Sequence, residues 1–282
     1  MNIFYKKLNF IFNQSVLHNN DYMECDFKYS INFKGIIDIL GNITENITFH
    51  FNDSGMSIQA MDGSHISLLY IELFKDQFNK LVVTKPVTIS LSAVSLKPII
   101  KSMKDNDTIS MRVKDKSSLV DIILTNGENR NKYSINQIYV DIETLDIASH
   151  VVNRNMIMTK KNGLTKILSD IKNTDADEVI LSIVDKKVVF TAKSDLVSLK
   201  IKPSIEIMEV TQIIPNDDKT VLRFNTKHLL NIPKILAICK PKLRIYIDNE
   251  SPLLLQVSLL SDTKDEDGME SSISFYIAPK ID

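Results

Sequence analysis

The sequence predicts an α+β fold made of two similar domains, each with two helices packed on antiparallel sheets. Three observations support this prediction. A pattern of helix and strand that begins near Phe33 recurs about 132 residues later. Many short segments alternate apolar and polar residues, as half-buried strands do. A chain of 282 residues that is 44% hydrophobic can also bury two cores of ordinary size.

The repeat can be followed along the chain. Residues 56–58 match 188–190 at a spacing of 132, and Leu119 falls on Leu253 at a spacing of 134. Agreement over several elements in the same order predicts one duplicated, pseudo-symmetric scaffold.

Strands and helices separate by the period of their apolar residues. Ile47, Phe49 and Phe51 alternate with polar neighbours, and so do Leu243, Ile245 and Ile247. Four segments have helical spacing instead, at roughly 31–41, 92–104, 163–173 and 226–240. Pro98 and Pro233 fall inside two of them, so we expect those helices to start late or to kink.

Positive charge is concentrated on the predicted helices. The whole chain has a net charge of −1, yet these segments contain nine lysines and only two acids, Asp38 and Asp170. The nine are Lys34, Lys97, Lys101, Lys104, Lys166, Lys172, Lys227, Lys234 and Lys240. Such a bias is typical of a surface that meets phosphate, and also of ordinary solvated helix faces.

Other features exclude several classes of protein. Cys25 and Cys239 are too few for a disulfide framework, which favours a reducing compartment. The first residues lack the sustained apolar run of a signal or membrane segment. With seven glycines, no phosphate-binding loop and no His-Glu-x-x-His, we expect neither an enzyme nor a bound cofactor.

One acidic cluster is a candidate metal site. Asp262, Asp265, Glu266 and Asp267 lie close together, but they lack the glycine and the final glutamate of a calcium-binding loop. We therefore interpret them as a solvated hairpin loop and predict no metal.

Two segments carry a family resemblance. The closing residues 275–282 read Phe-Tyr-Ile-Ala-Pro-Lys-Ile-Asp, and residues 59–65 read Gln-Ala-Met-Asp-Gly-Ser-His. Both resemble the proliferating cell nuclear antigen family, and the similarity extends over residues 23–282. It implies the DNA clamp (processivity) fold, in which three copies form a pseudo-six-fold ring with helices inside and sheets outside.

The resemblance also implies the domain boundaries. Residues 1–22 would be an N-terminal extension, 23–131 the first clamp domain, 132–152 the interdomain connecting loop and 153–282 the second clamp domain. The extension reads as a disordered leader, as an added strand around residues 8–12, or as a start codon assigned too early.

Two sets of site residues follow from the same resemblance. The DNA-binding residues would be Lys34, Lys97, Lys101, Lys166, Lys172, Lys227 and Lys234. A pocket for partner peptides would be formed by Met61, His65, Ile66, Leu145, Ile147, Pro252, Tyr276, Ala278 and Pro279. The sequence departs from the family at Gly35, Gly41 and Ser169, where the family usually has lysine or arginine, and the loop reads Leu-Asp-Ile-Ala at 145–148.

Ring closure would need two strand edges that pair between copies. The resemblance places them near residues 117–124 and 186–201. An exposed edge with the apolar residues Leu119, Val120, Ile122 and Ile123 would be an aggregation hazard in a monomer, so a partner strand is physically sensible.

The function implied is that of a homotrimeric DNA sliding clamp and polymerase processivity factor in replication and repair. Its partners would be duplex DNA, further copies of itself, DNA polymerase, ligase, nuclease and a separate ATP-driven clamp loader. It would act in the nucleus, or at a cytoplasmic replication site if the protein is viral. The alternative is a divergent clamp-like protein, either a subunit of a heterotrimeric checkpoint clamp or a monomeric viral replication or transcription accessory factor.

Overall fold

The structure is a computed structural model, which describes residues 21–104, 106–140, 154–213, 219–249, 251–261 and 270–280. Residues 1–20 of the predicted extension and 141–152 of the predicted connecting loop lie outside the described residues, and so does the acidic cluster at 262–267. Within the described part of the chain, no helix is both long enough and apolar enough to cross a membrane.

The first half of the chain contains β1 to β9 with two α-helices and one 3₁₀ turn, Lys75–Gln77. In chain order the elements are β1 Asp21–Phe27, α1 Ser30–Leu40, β2 Asn46–Phe51, β3 Gly55–Met61, β4 Ser67–Phe74, β5 Phe78–Val83, β6 Val87–Ser92, α2 Ala93–Ser102, β7 Thr108–Lys114, β8 Leu119–Asn126 and β9 Asn129–Asn136.

The second half repeats this order with three α-helices. Its elements are β10 Asn155–Lys160, α3 Lys161–Lys172, β11 Glu178–Val184, β12 Lys187–Lys193, β13 Ser198–Ile201, β14 Met208–Gln212, β15 Lys219–Asn225, α4 Thr226–Leu229, α5 Ile232–Ala237, β16 Cys239–Ile247, β17 Leu253–Leu259 and β18 Ser272–Ile277.

The predicted duplication is present in the sheet topology. The first half has strands in the orders β5-β1-β7-β8-β9 and β4-β3-β2-β6, and the second half has β14-β10-β16-β17-β18 and β13-β12-β11-β15. One strand of each half joins them, because β18 pairs with β4 in antiparallel fashion. The result is a nine-stranded sheet that runs through both halves, flanked by a five-stranded and a four-stranded sheet.

The strand patterns put the apolar residues where the alternation predicted. Ile47, Phe49 and Phe51 are at most 2% exposed, and Leu243, Ile245 and Ile247 are also buried. These side chains join residues of the helices, such as Phe33 and Leu236, in one continuous apolar core. The helices therefore cover one face of the nine-stranded sheet and leave the other face outward.

One detail of the repeat was wrong. Leu119 is 40% exposed, whereas Leu253 is 2% exposed, so the two do not occupy equivalent positions. The strand registers show the true match: Met111 lies opposite Ile122, and its counterpart Ile245 lies opposite Leu255. Val120 therefore takes the place of Leu253, one residue later than the sequence comparison indicated.

The segment predicted as one helix over 226–240 is two short helices and the start of a strand. α4 ends at Leu229 and α5 begins at Ile232, with Pro233 in its first turn. Proline lacks an N–H and is best tolerated at such a start, which explains the break. Lys240 consequently belongs to β16, and Lys104 lies beyond the end of α2 at Ser102.

Helix α2 behaves differently at its own proline. It runs through Pro98, which is its sixth residue, and it begins after Ser92, whose side chain accepts a hydrogen bond from the Val94 amide. The cap supplies the start signal, and the helix continues at the cost of one backbone hydrogen bond.

Two predicted boundaries on the first half change. Strand β9 continues to Asn136, so residues 132–136, assigned to the connecting loop, are part of the five-stranded sheet. The edge predicted near 117–124 is interior, because β8 pairs with β7 on one side and β9 on the other. Strand β9 is one edge of the five-stranded sheet, and β13, inside the predicted range 186–201, is one edge of the four-stranded sheet.

Phe275 tests the seam between β18 and β4. Its side chain is fully buried and lies opposite Leu69 of the other half. We expect Phe275→Ala to lower the free energy of unfolding by about 3–5 kcal/mol, because it removes a large buried ring and leaves a cavity. Urea unfolding followed by circular dichroism measures this loss. Tyr139→Ala is the matched control, since Tyr139 is fully exposed; an equal loss in both variants would contradict the prediction.

Candidate functional site

The turn between β3 and β4 is organised by one carboxylate. Asp62 accepts hydrogen bonds from the backbone amides of Ser64, Ile66 and Ser67, and from the Ser64 hydroxyl. Burial works to raise the pKa of Asp62, but these hydrogen bonds outweigh it and lower the pKa overall. The ionised carboxylate therefore fixes the turn that contains the family-like residues 59–65.

The same turn holds His65 in an unusual conformation. Its φ is +56°, in the left-handed region that few side chains adopt, and its amide donates to the Asp62 carbonyl at 2.9 Å. The imidazole is exposed at the rim of the turn. Turn geometry therefore aims His65 outward.

The end of the chain closes on this turn. The Ala278 amide donates to the Ile66 carbonyl at 2.9 Å, directly after β18 ends at Ile277. Pro252 precedes β17 and lies one position beyond the pair formed by Leu253 and Ile277. The structure thus brings Ile66, Pro252 and Ala278, predicted from distant parts of the sequence, into one corner of the nine-stranded sheet.

A row of apolar side chains crosses the outward face of the sheet from this corner. Successive partners in the strand registers are Met61, Leu68, Tyr276, Leu254, Tyr246 and Met156. Leu254 and Tyr246 are buried, while the other four are half-buried. Burial raises the pKa of Tyr276, opposed by Arg154, so its hydroxyl stays protonated at neutral pH.

Sequence analysis named only Met61 and Tyr276 of this row. Four residues of the row were not predicted, because an alternating pattern places the apolar residues of a strand on one face only. They are Leu68, Leu254, Tyr246 and Met156. The unbroken apolar runs at 68–71 and 253–255 could have predicted these residues. A strand with apolar residues on both faces is usually covered on both faces. Leu145 and Ile147, predicted in the same pocket, lie outside the described residues.

A buried histidine connects the corner to a helix of the second half. His228 of α4 is 4% exposed, and its Nδ1 lies 2.9 Å from the Ser67 hydroxyl and 3.9 Å from an Asp62 oxygen. Its Nε2 is buried without a hydrogen-bond partner among the described residues. Burial lowers the pKa of His228 more than Asp62 raises it, so the ring is neutral at pH 7.

These three residues do not form a catalytic relay. A relay needs the serine and the carboxylate on opposite ring nitrogens, whereas Ser67 and Asp62 both approach Nδ1. Ser67 is also only 1% exposed, so its hydroxyl has no access to substrate. The arrangement is suited to joining the two halves of the chain.

The predicted DNA-binding lysines are surface residues of the helices. Six of the seven are exposed, and Lys34 is half-buried. Two of them also tie α1 to α2: Lys34 donates to the Met103 carbonyl at 3.4 Å, and Lys97 donates to the Gly41 carbonyl. The exposed group is Lys97, Lys101, Lys166, Lys172, Lys227 and Lys234.

Packing explains one departure from the family pattern. A Cβ at Gly35 would lie 2.4 Å from Cγ2 of the buried Ile238, so this glycine permits the close approach of α1 to the end of α5. A Cβ at Gly41 would meet the end of the Lys97 side chain, which is exposed and flexible and can move aside, so packing does not explain the glycine there.

The fold agrees with comparisons to known proteins. The family model described as proliferating cell nuclear antigen (PCNA), N-terminal domain, matches residues 22–150. The PCNA of Chaetomium thermophilum is 24% identical over 254 residues, covering 88% of this chain and 94% of the relative. A probable DNA polymerase sliding clamp of Autographa californica nuclear polyhedrosis virus is 23% identical, covering 92% and 96%.

A solved structure shares the whole architecture. The crystal structure of the PCNA of Entamoeba histolytica superposes with a TM-score of 0.79 at 20% identity, covering 93% of this chain and all of the other. The duplicated sheets are thus those of the DNA clamp fold. The chain resembles the PCNA family in sequence and shares the DNA clamp fold.

His228 makes the stability of the protein depend on pH. Because its folded pKa lies below the ordinary value of about 6.5, its contribution to stability is complete above that pH. We expect the contribution to be lost as the pH falls through the folded pKa, since the unfolded chain then binds the extra proton. The difference in free energy of unfolding between the wild type and His228→Gln should shrink from pH 7.5 to pH 5. Parallel pH profiles from urea titrations would refute this assignment.

Proposed function

We propose that the protein is a DNA sliding clamp, a processivity factor that encircles duplex DNA and recruits replication and repair proteins through the corner around Tyr276. The observation that carries the proposal is the pair of open strand edges, β9 and β13, on a duplicated clamp fold. The names of two relatives, PCNA and DNA polymerase sliding clamp, support the same function. These names do not favour the alternative, a divergent clamp-like protein that is a subunit of a heterotrimeric checkpoint clamp or a monomeric viral accessory factor.

Ring closure follows from the internal symmetry. Within one chain, β18 of the second half pairs with β4 of the first. In the sheet orders of the two halves, β9 corresponds to β18 and β13 corresponds to β4. Both β9 and β13 are nevertheless edge strands within the described chain. We infer that β9 of one copy pairs with β13 of the next, completing a second nine-stranded sheet of the same order. Such head-to-tail contacts close into a ring, and we propose three copies by similarity to PCNA.

The internal seam also predicts the register between copies. Phe275 lies opposite Leu69 and Tyr276 opposite Leu68. The equivalent residues on the open edges are Tyr133 facing Leu199 and Ser134 facing Ser198.

This register sets like charges against each other. Lys132 would lie opposite Lys200, and both are exposed; Lys132 also pairs with Asp121 at 2.8 Å, which compensates part of its charge. Like charges directly across a strand pair are destabilising. We therefore expect this seam to be weaker than the apolar seam inside the chain.

The helical lysines would face the enclosed duplex. Contacts from lysine to phosphate carry no sequence information, so they hold a protein on DNA without fixing its position. Eight lysines and two carboxylates stand on the α-helices of the described residues, which gives the inner surface a positive charge. Gly35, Gly41 and Ser169 stand where the family usually has lysine or arginine, so we expect the electrostatic attraction to be weaker than in typical relatives.

The corner around Tyr276 would bind peptide motifs of DNA polymerase, ligase, nuclease and a clamp loader. Met61, Leu68 and Tyr276 offer half-buried apolar surface to aromatic side chains of such peptides. Each aromatic side chain buries about 150–250 Å², most of whose gain is offset by ordering the peptide. The protein would act without catalysis of its own, in nuclear replication or at a viral replication site.

A cysteine pair tests the ring. Ser134→Cys with Ser198→Cys places two thiols at directly opposed positions of the proposed seam, within the Cα separation that a disulfide needs. The native Cys25 and Cys239 are buried and should not interfere. Oxidation should give a covalent trimer on non-reducing gels, about three times the 32.1 kDa chain. Each single variant is the control, and absence of the trimer in the double variant would contradict the register.

The same covalent ring tests encirclement. The double variant is oxidised in the presence of nicked circular DNA. A fraction of the protein should then remain bound to the DNA in high salt. That fraction should be released when the circle is cut. Ordinary cationic adhesion would instead be lost in high salt from circular and linear DNA alike. That result would overturn the clamp proposal.

The lysines are tested by the salt dependence of DNA binding. We expect Lys101→Gln with Lys166→Gln to weaken binding equally for all sequences. The slope of log affinity against log salt should also fall by about one for each phosphate that is no longer neutralised. The control variant replaces Lys186 and Lys187, which are exposed on the hairpin between β11 and β12. An equal change in the control would show that only the net charge matters.

A further inference from the structure

A groove with charged and apolar walls opens on the outward face of the nine-stranded sheet. Its volume is about 520 Å³, and it lies over β10, β16, β17 and the start of β18. The lining residues are Met158, Lys240, Pro241, Lys242, Leu243, Arg244, Gln256, Ser258, Glu270 and Ser272. None of them belongs to the pocket predicted from the sequence.

The groove carries an excess of positive charge. Lys240 is neutralised, because its Nζ lies 3.1 Å from Glu270, which also accepts a hydrogen bond of 2.6 Å from the Ser258 hydroxyl. Lys242 and Arg244 are exposed, and no carboxylate of the described residues lies within ion-pair distance of either. Two cations on one wall are thus left to meet negative charge from outside the chain.

The groove is continuous with the corner around Tyr276. Ser272 of the groove and Tyr276 of the corner point outward from the same strand, four residues apart, which is about 13 Å along a strand. Gln256 of the groove lies opposite Ser274, midway between them. An extended peptide advances at most about 3.3–3.6 Å per residue, so it covers this distance with about four residues.

We propose that the groove binds an acidic stretch of the same partner peptides whose aromatic residues fill the corner. The inference rests on the proposed function of that corner. Carboxylates placed about four residues from the aromatic anchor would reach Lys242 and Arg244, while Gln256 and Ser258 offer further polar contacts. The clamp thereby prefers partners with an acidic flank over partners with the same anchor and a neutral flank.

The chain itself contains another candidate for the groove. Residues 262–267, which include four acids, follow β17 and lie outside the described residues. If they neutralised the groove, an acidic flank on a peptide would gain nothing. The comparison of matched peptides distinguishes these occupants.

The experiment uses two synthetic peptides with the same anchor, two adjacent phenylalanines and a leucine. One has four glutamates on each side of the anchor, and the other has four glutamines. Fluorescence anisotropy with the full-length protein measures both affinities at low and high ionic strength. We expect the acidic peptide to bind about three- to tenfold more tightly at low salt, and the preference to fall at high salt.

Three variants assign the effect to the groove. Lys242→Gln with Arg244→Gln should remove the preference and leave the neutral peptide unchanged, whereas Lys186→Gln with Lys187→Gln should keep the preference. Tyr276→Ala should weaken both peptides. The inference about the groove is overturned if the two peptides bind the wild type equally, or if the preference survives in the groove variant. Either result leaves the proposed function of the corner standing. If neither peptide binds the wild type, the proposed corner is overturned as well.

Discussion

The pairing of β18 with β4 is the constraint on which the rest of the structure depends. It joins two halves of a duplicated chain into one nine-stranded sheet, with large apolar side chains such as Phe275 and Leu69 facing each other across the seam. Polar contacts reinforce it, since the Ser271 hydroxyl donates to Asp76 at 2.7 Å and accepts from the Phe74 amide. The corner around Tyr276 exists only because residues of both halves meet there.

The seam also links the two surfaces of the clamp. Asp62 fixes the turn that forms part of the corner, and the same carboxylate lies beside His228 of α4, whose neighbour Lys227 is exposed on the helical side. A neutral, buried imidazole between the halves holds the helix and the turn in one arrangement. Its Nε2 has no hydrogen-bond partner among the described residues, and nothing in the fold explains that.

Much of this protein was predictable from its sequence. The period of apolar residues identified the strands and four helical regions, and the repeat identified two halves of similar topology, because side-chain burial follows backbone period. Specific motifs at 59–65 and 275–282 pointed to the clamp fold and to Met61 and Tyr276. The errors were local: a one-residue shift between Leu119 and Leu253, a helix broken before Pro233, and an interior strand taken for an edge.

What the sequence determined by itself is therefore the pattern of buried faces, the duplication and the family-like motifs, since these depend on short-range periodicity and on residue identity. Only the tertiary structure decided which strand is an edge, which outward residues form the row from Met61 to Met156, and why Gly35 lacks a side chain. Those properties depend on pairs of residues far apart in the chain, such as Gly35 with Ile238 or Ala278 with Ile66. Sequence periodicity contains no information about which distant segment supplies the partner, so register and close packing appear only when the chain is folded.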